Sequence, residues 1–166
     1  MQRPPRKGQG LVCGRHRRHD AAMTEQTFDL TDPSVFTRWA EDTIRFGDMD
    51  STGHVNNVSI ARYVETGRVI FMRRGFLPDY DERSRFIVAN LTIRYRAQAF
   101  WPGDVRIGCR VVKVGRTSFT LGNGVFVDQT CIATAETVMV SIFDNVSTPI
   151  ADPVRDLLVE AMNGKA

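Results

Sequence analysis

Residues 47–57 read GDMDSTGHVNN, which sets two acids, a histidine and two asparagines around Gly53. His54 is the one histidine beyond residues 1–22. An apolar-rich segment follows at once, VSIARYVETGRVIFMRRGF. An Asp, Ser, Thr or Asn ahead of a helix ordinarily caps it, and Asn56 or Asn57 alone would do so. The combination offers more chemistry than a cap. Gly53 allows a sharp turn and leaves room for another group to approach the backbone. A helix beginning here presents free N–H groups and the positive end of its dipole. Such donors polarise a carbonyl and hold the oxyanion that forms when it is attacked. Asp50 lies seven residues before Asn57, close enough in a compact loop to face the same spot. A carboxylate there can attack the carbonyl or activate water to do so. These are the parts of an acyl-transfer or hydrolysis site.

The elements that must position this loop can be read from the chain around it. TDPSVF has the character of a turn or short helix start, with Asp32 and Ser34 as caps. Residues 37–46 form a strand candidate, and the spacing predicts a helix over about 58–74. Its apolar positions spread beyond one stripe, which predicts a buried helix. Gly75 ends it and Pro78 lies beyond. DYDERSR reads as a solvated loop. In LTIRYRA, Leu91, Ile93, Tyr95 and Ala97 alternate with Thr92, Arg94 and Arg96, so one apolar face and one wet face are expected. WPGD at 101–104 is a turn. Strands are expected over 105–114, 118–127 and 130–143, and a short helix over 154–162. Strands joined by short connections favour an antiparallel α+β arrangement.

The stretch RFGDMDSTGHVNNVSIARYVETGR (45–68) resembles the signature of the hotdog-fold acyl-thioester hydrolases. It is similar to the 4-hydroxybenzoyl-CoA thioesterase family and to the acyl-ACP thioesterases, which also carry an H-V-N-N run. The likeness covers roughly residues 37–145. It implies a curved antiparallel five-stranded sheet wrapped around one long central helix. It also implies an acyl- or aryl-CoA thioesterase in which Asp50 is nucleophile or general base. The Asn57 N–H would polarise the thioester carbonyl, and His54 matches the histidine of the acyl-ACP enzymes. Those enzymes carry asparagine two residues after the acid, where this chain has Thr52. Gly53, Val55 and Asn56 would line the substrate. Glu65 matches the helical base of some hotdog branches, but also fits a pair with Arg62 or Arg68. Asp48 is the rival acid, in a turn or paired with Arg45. KVGRTSF (113–119) resembles the connection that meets the nucleotide end of CoA, with Arg116 on phosphate and Ser118 donating. The resemblance further implies a homodimer or homotetramer with the site at the subunit interface. Two alternatives stay open: a non-catalytic acyl-CoA-binding module, and an enoyl-thioester hydratase or dehydratase using His54 and Glu65.

Composition narrows the classes. The chain has 166 residues, 42% hydrophobic and 25% charged, as one soluble globular domain would. No apolar run approaches the ~20 residues of a membrane span, so no membrane role is expected. The net charge of +3 arises in residues 1–22, which hold six basic groups and one acid; without them the balance is about −2. That segment is expected to be a disordered basic extension, with Met23 an alternative first residue and 23–166 a single domain. No nucleic-acid role is expected, because no basic and aromatic stripe recurs later. Cys13, Cys109 and Cys131 are odd in number and lack CxxC spacing, which suits a reducing, cytoplasmic setting. With no P-loop, GxGxxG or metal-ligand cluster, no cofactor is expected; CoA would enter as part of the substrate.

Overall fold

The structure, a computed structural model, describes residues 23–75 and 84–164. The basic extension expected at 1–22 and most of the loop expected at 79–85 fall outside them. The elements in order are β1 (Thr24–Glu25), β2 (Arg38–Ile44), α1 (Asn57–Gly75), β3 (Ser84–Tyr95), β4 (Gly103–Val114), β5 (Ser118–Val127), β6 (Thr130–Phe143), β7 (Val146–Ser147) and α2 (Asp152–Met162). One 3-10 turn at Pro33–Val35 is capped by Asp32, whose carboxylate accepts from the Ser34 N–H.

All pairings are antiparallel. The long strands run β2, β4, β5, β6, β3 across the sheet; β1 pairs the far end of β4 and β7 pairs β6. Five long strands are thus joined by two strands of two residues. The last of these follows a tight turn at Asp144 and Asn145, both at positive φ, the geometry that a two-residue hairpin favours.

Packing explains why the sheet curves around α1. The helix lies over β2, β4 and β5, with Ile60, Tyr63, Val64, Phe71 and Met72 buried against Ile44, Val105, Ile107 and Leu121. α2 closes the same core with Leu158, Ala161 and Met162. On the outer face Leu30, Phe36 and Phe126 form a second cluster with Phe28 and Trp39. Phe36 sits where Gly108 and Gly124 pair across β4 and β5, and a Cβ on Gly108 would stand 2.3 Å from its ring. Arg110 is buried here: it stacks on Phe28 and donates to the carbonyls of Val35 and Met162, so one side chain fastens the 23–36 segment and the end of α2 to the sheet.

Two expectations need correction. α1 is not buried over most of its circumference: Val58, Arg62, Glu65 and Val69 form an exposed row at i, i+4, i+7 and i+11, with Val58 56% exposed. A single sheet covers one side of a helix, and the described residues place no second layer over this row. In β3 the expected apolar face is covered only in part: Ile93 packs against the core, while Leu91 is 39% and Tyr95 51% exposed. Among the described residues β3 is an edge strand, bonded to β6 alone, and it lies beyond the strands that α1 covers. Among the described residues, no helix is long and apolar enough to cross a membrane.

Candidate active site

The segment between β2 and α1 is closed on itself. Met49 and Val55 form an antiparallel bridge, and the Asp50 N–H donates to the His54 carbonyl at 2.8 Å. Gly53 takes φ +84 at the tip, a conformation that costs a side-chain-bearing residue energy. The Val55 N–H donates to the Ala99 carbonyl at 2.8 Å, and the Asn56 N–H to that of Asp48 at 2.8 Å. The loop is therefore fixed to both ends of its surroundings before any side chain acts.

Asp50 organises the turn. Its Oδ1 accepts from the Thr52 N–H at 2.8 Å, the Thr52 hydroxyl at 2.6 Å and the His54 N–H at 3.3 Å. The Thr52 hydroxyl, then the Thr52 amide, hold the carboxyl below the ordinary Asp value, with the His54 amide adding to them. Thr52 Oγ1 is also 2.9 Å from His54 Nδ1, and the imidazole ring meets the ring of Phe100 edge-on at 5.5 Å. Thr52, which breaks the acyl-ACP enzymes' acid–Asn–His pattern, thus joins the acid to the histidine after all. The signal was present: a threonine two residues after an aspartate is the natural partner of an Asx turn.

α1 begins where the sequence put it. The Asn56 carbonyl accepts the first helical bond, from the Ile60 N–H at 3.1 Å, and its Oδ1 accepts from the Val58 N–H at 2.8 Å. That makes Asn56 the cap. The Asn57 N–H precedes any intrahelical acceptor and has no partner among the described residues. The Tyr95 hydroxyl donates to the Asn57 carbonyl at 3.3 Å, tying β3 to this first turn, a contact that sequence reasoning missed.

Asp48 has a different task. It is buried, and its Oδ2 accepts from the Arg45 N–H at 2.8 Å and the Tyr63 hydroxyl at 2.7 Å. The expected pair with Arg45 is not made by the guanidinium, which meets Asp42 at 3.0 Å. Burial alone would raise the Asp48 carboxyl; bonds from Arg45, Tyr63 and Ser59 outweigh it and bring the group below its ordinary value. Asp48→Ala should therefore cost about 2 kcal/mol by stranding the Tyr63 hydroxyl. Urea unfolding at pH 7 measures the loss. A depressed folded pKa means that the carboxylate's contribution is present above about pH 4 and fades as pH falls through the folded value, so wild type and variant should converge in acid.

The other predicted residues are not gathered here. Glu65 stands eight residues along α1, about 12 Å from Asn57, and pairs with Arg68 at 3.1 Å. Val55 is buried beneath the loop and lines the core. Arg116 sits in the β4–β5 connection and Ser118 opens β5, whereas the loop adjoins the opposite end of β4 through the Ile44–Gly103 pair. The twelve-residue strand between them spans roughly 35 Å, so one chain cannot present both to the same small group. Among the described residues, no three His, Cys, Asp or Glu side chains converge to hold a metal.

Comparison with known proteins places this geometry. The model of the thioesterase-like superfamily matches residues 44–156. A thioesterase from Thermus thermophilus, solved with coenzyme A and zinc, is 28% identical, with 74% of this chain and 98% of that one covered and a TM-score of 0.68. A thioesterase superfamily protein from Jannaschia sp. CCS1 is 27% identical over 75% of this chain and 82% of its own, with a TM-score of 0.67. A protein from Bacillus stearothermophilus described as a predicted thioesterase is 26% identical over 74% and 94%, with a TM-score of 0.68. No curated protein matches the chain. The shared architecture is the hotdog fold.

Proposed function

Because the chain belongs to the thioesterase-like superfamily, we propose that it hydrolyses acyl- or aryl-CoA thioesters at the loop between β2 and α1. One observation carries the reading: an ionised carboxylate, Asp50, is held in a tight turn directly before a nineteen-residue helix whose first amide, at Asn57, has no partner among the described residues. The Asn57 N–H holds the carbonyl oxygen as charge develops on it. Asp50 supplies the charge that drives attack on the carbonyl carbon, and the thiol leaves. The coenzyme A bound by the Thermus relative supports a CoA-type substrate.

A second copy completes the site in this reading. The exposed row on α1 and the open apolar edge of β3 (Ile87, Val88, Leu91 and Tyr95) are what a partner would cover. Arg116, some 35 Å away in its own chain, then serves the neighbour's substrate, pairing with phosphate. Leu91→Asp should dissociate the assembly and lower turnover together, read by sedimentation and thiol release; a monomer with full activity would remove the partner from the mechanism.

The test of the function itself is a panel of acyl-CoAs, short to long with one aryl member, followed by free-thiol appearance. Release above the buffer rate is expected for at least one member. Binding without release would identify a CoA-binding module instead. Loss of enoyl absorbance without thiol would identify a hydratase.

A further inference from the structure

Hydrolysis at this loop needs an atom that takes the proton from water, and the hydrogen bonds around Thr52 identify it. An ionised carboxylate accepts hydrogen bonds and donates none. The 2.6 Å bond between Thr52 Oγ1 and Asp50 Oδ1 therefore uses the single hydroxyl hydrogen of Thr52, and its length is that of a charge-assisted bond. The same oxygen is 2.9 Å from His54 Nδ1. With its hydrogen spent, Thr52 can only accept there, so Nδ1 must carry a hydrogen. In the neutral ring the hydrogen is then absent from Nε2. The ring also meets that of Phe100 edge-on, and Nε2 has no partner among the described residues.

We propose that Thr52 is a positioning residue that fixes His54 as its Nδ1–H tautomer, making His54 Nε2 the base that deprotonates water, with Asp50 as the charge behind the ring. This rests on the thioester-hydrolysis reading. Asp50 is the weaker base of the two candidates, since the three donors on its Oδ1 hold the proton affinity of the whole carboxylate, Oδ2 included, below the ordinary Asp value. Nε2 takes one proton from water as the water oxygen bonds to the carbonyl carbon. When the carbon–sulfur bond breaks, the electron pair leaves on sulfur and the imidazolium returns that proton to it. Thioester and water thereby give carboxylic acid and thiol, and the ring ends as it began. Thr52 can stand where the acyl-ACP enzymes carry asparagine because a hydroxyl, like an amide, can donate to one neighbour and accept from the other.

The test uses the full chain labelled with ¹⁵N on histidine, at pH 8.5, alongside thiol-release kinetics. Wild type should show the Nδ1–H pattern for His54. Thr52→Val keeps the backbone turn to Asp50 but removes the hydroxyl; it should shift the ring toward Nε2–H and lower kcat by about 10–100-fold with KM little changed. Thr52→Ser should restore both. An Nε2–H ring in wild type, or wild-type kcat in Thr52→Val, would overturn the proposal. His54→Ala at full activity beside an inactive Asp50→Asn would overturn the relay yet leave hydrolysis standing. An Nδ1–H ring in a protein that releases no thiol from any acyl-CoA would overturn the reaction, His54's part in it included, while the hold of Thr52 on the ring survived.

Discussion

Asp50→Asn is expected to fold as wild type does and to lose turnover by about 10²–10⁴-fold. The amide oxygen can still accept from the Thr52 N–H, so the turn persists, and the position lies in a partly exposed loop rather than the core. What disappears is the negative charge. Without it Asp50 can neither act itself nor stabilise an imidazolium at His54, so the loss is the same by either route. The sign with pH follows from the depressed carboxyl. The ionised form exists above its pKa, and that pKa lies below the usual Asp value. Protonation of Asp50 therefore contributes no acid limb to kcat/KM above about pH 5. Thiol release measured from pH 5 to 9, with circular dichroism on the same samples, separates lost chemistry from lost structure.

Gly67→Val should have the largest effect on stability. At this point α1 touches the sheet: a Cβ on Gly67 would lie 2.5 Å from Ile107 Cγ2 and 3.1 Å from Cys109 Sγ. Ile107 Cγ2 branches from Cβ and has little freedom to withdraw. Replacing glycine in a helix interior ordinarily gains up to about 1 kcal/mol. Overpacking of a well-filled core costs about 1–3 kcal/mol for small additions, and valine adds three carbons where one does not fit. The net expectation is a loss of about 3 kcal/mol or more, a fall in Tm of about 10 °C in a domain of this size. Calorimetry checks it, with Gly47→Ala as control, since nothing lies within 4 Å of a Cβ at that site. A Tm within a degree of wild type would mean that α1 does not rest on β4 through Gly67.

What was legible in the sequence was local. β5 and β6 have the bounds that their turns predicted, because GRT and DQ interrupt otherwise continuous apolar runs. α1 starts where Asn56 signals. The arrangement of Asp50, Gly53, His54 and Asn57 in one tight loop was also readable, since all four lie within eight residues. What was not legible depends on neighbours distant in the chain. The alternation in β3 predicts a buried face correctly only for a strand with a layer over it, and β3 is at the edge. The burial of Asp48 needs Tyr63, fifteen residues on and two turns into α1. The outer-face cluster around Phe36 depends on two glycines meeting across β4 and β5, which no local pattern announces. The distance between Arg116 and the loop follows from the length of β4 once its pairing with β2 is known.

The most direct measurement is a crystal structure of the full chain with a non-cleavable acyl-CoA analogue, such as a ketone with a methylene between carbonyl and sulfur. The account predicts the ketone oxygen 2.7–3.1 Å from the Asn57 nitrogen, about the distance of an oxyanion donor, with the carbonyl carbon facing the turn of Asp50, Thr52 and His54. A carbonyl bound elsewhere, with the Asn57 amide facing solvent or the Asp50 side chain swung away from it, would contradict the account at its foundation.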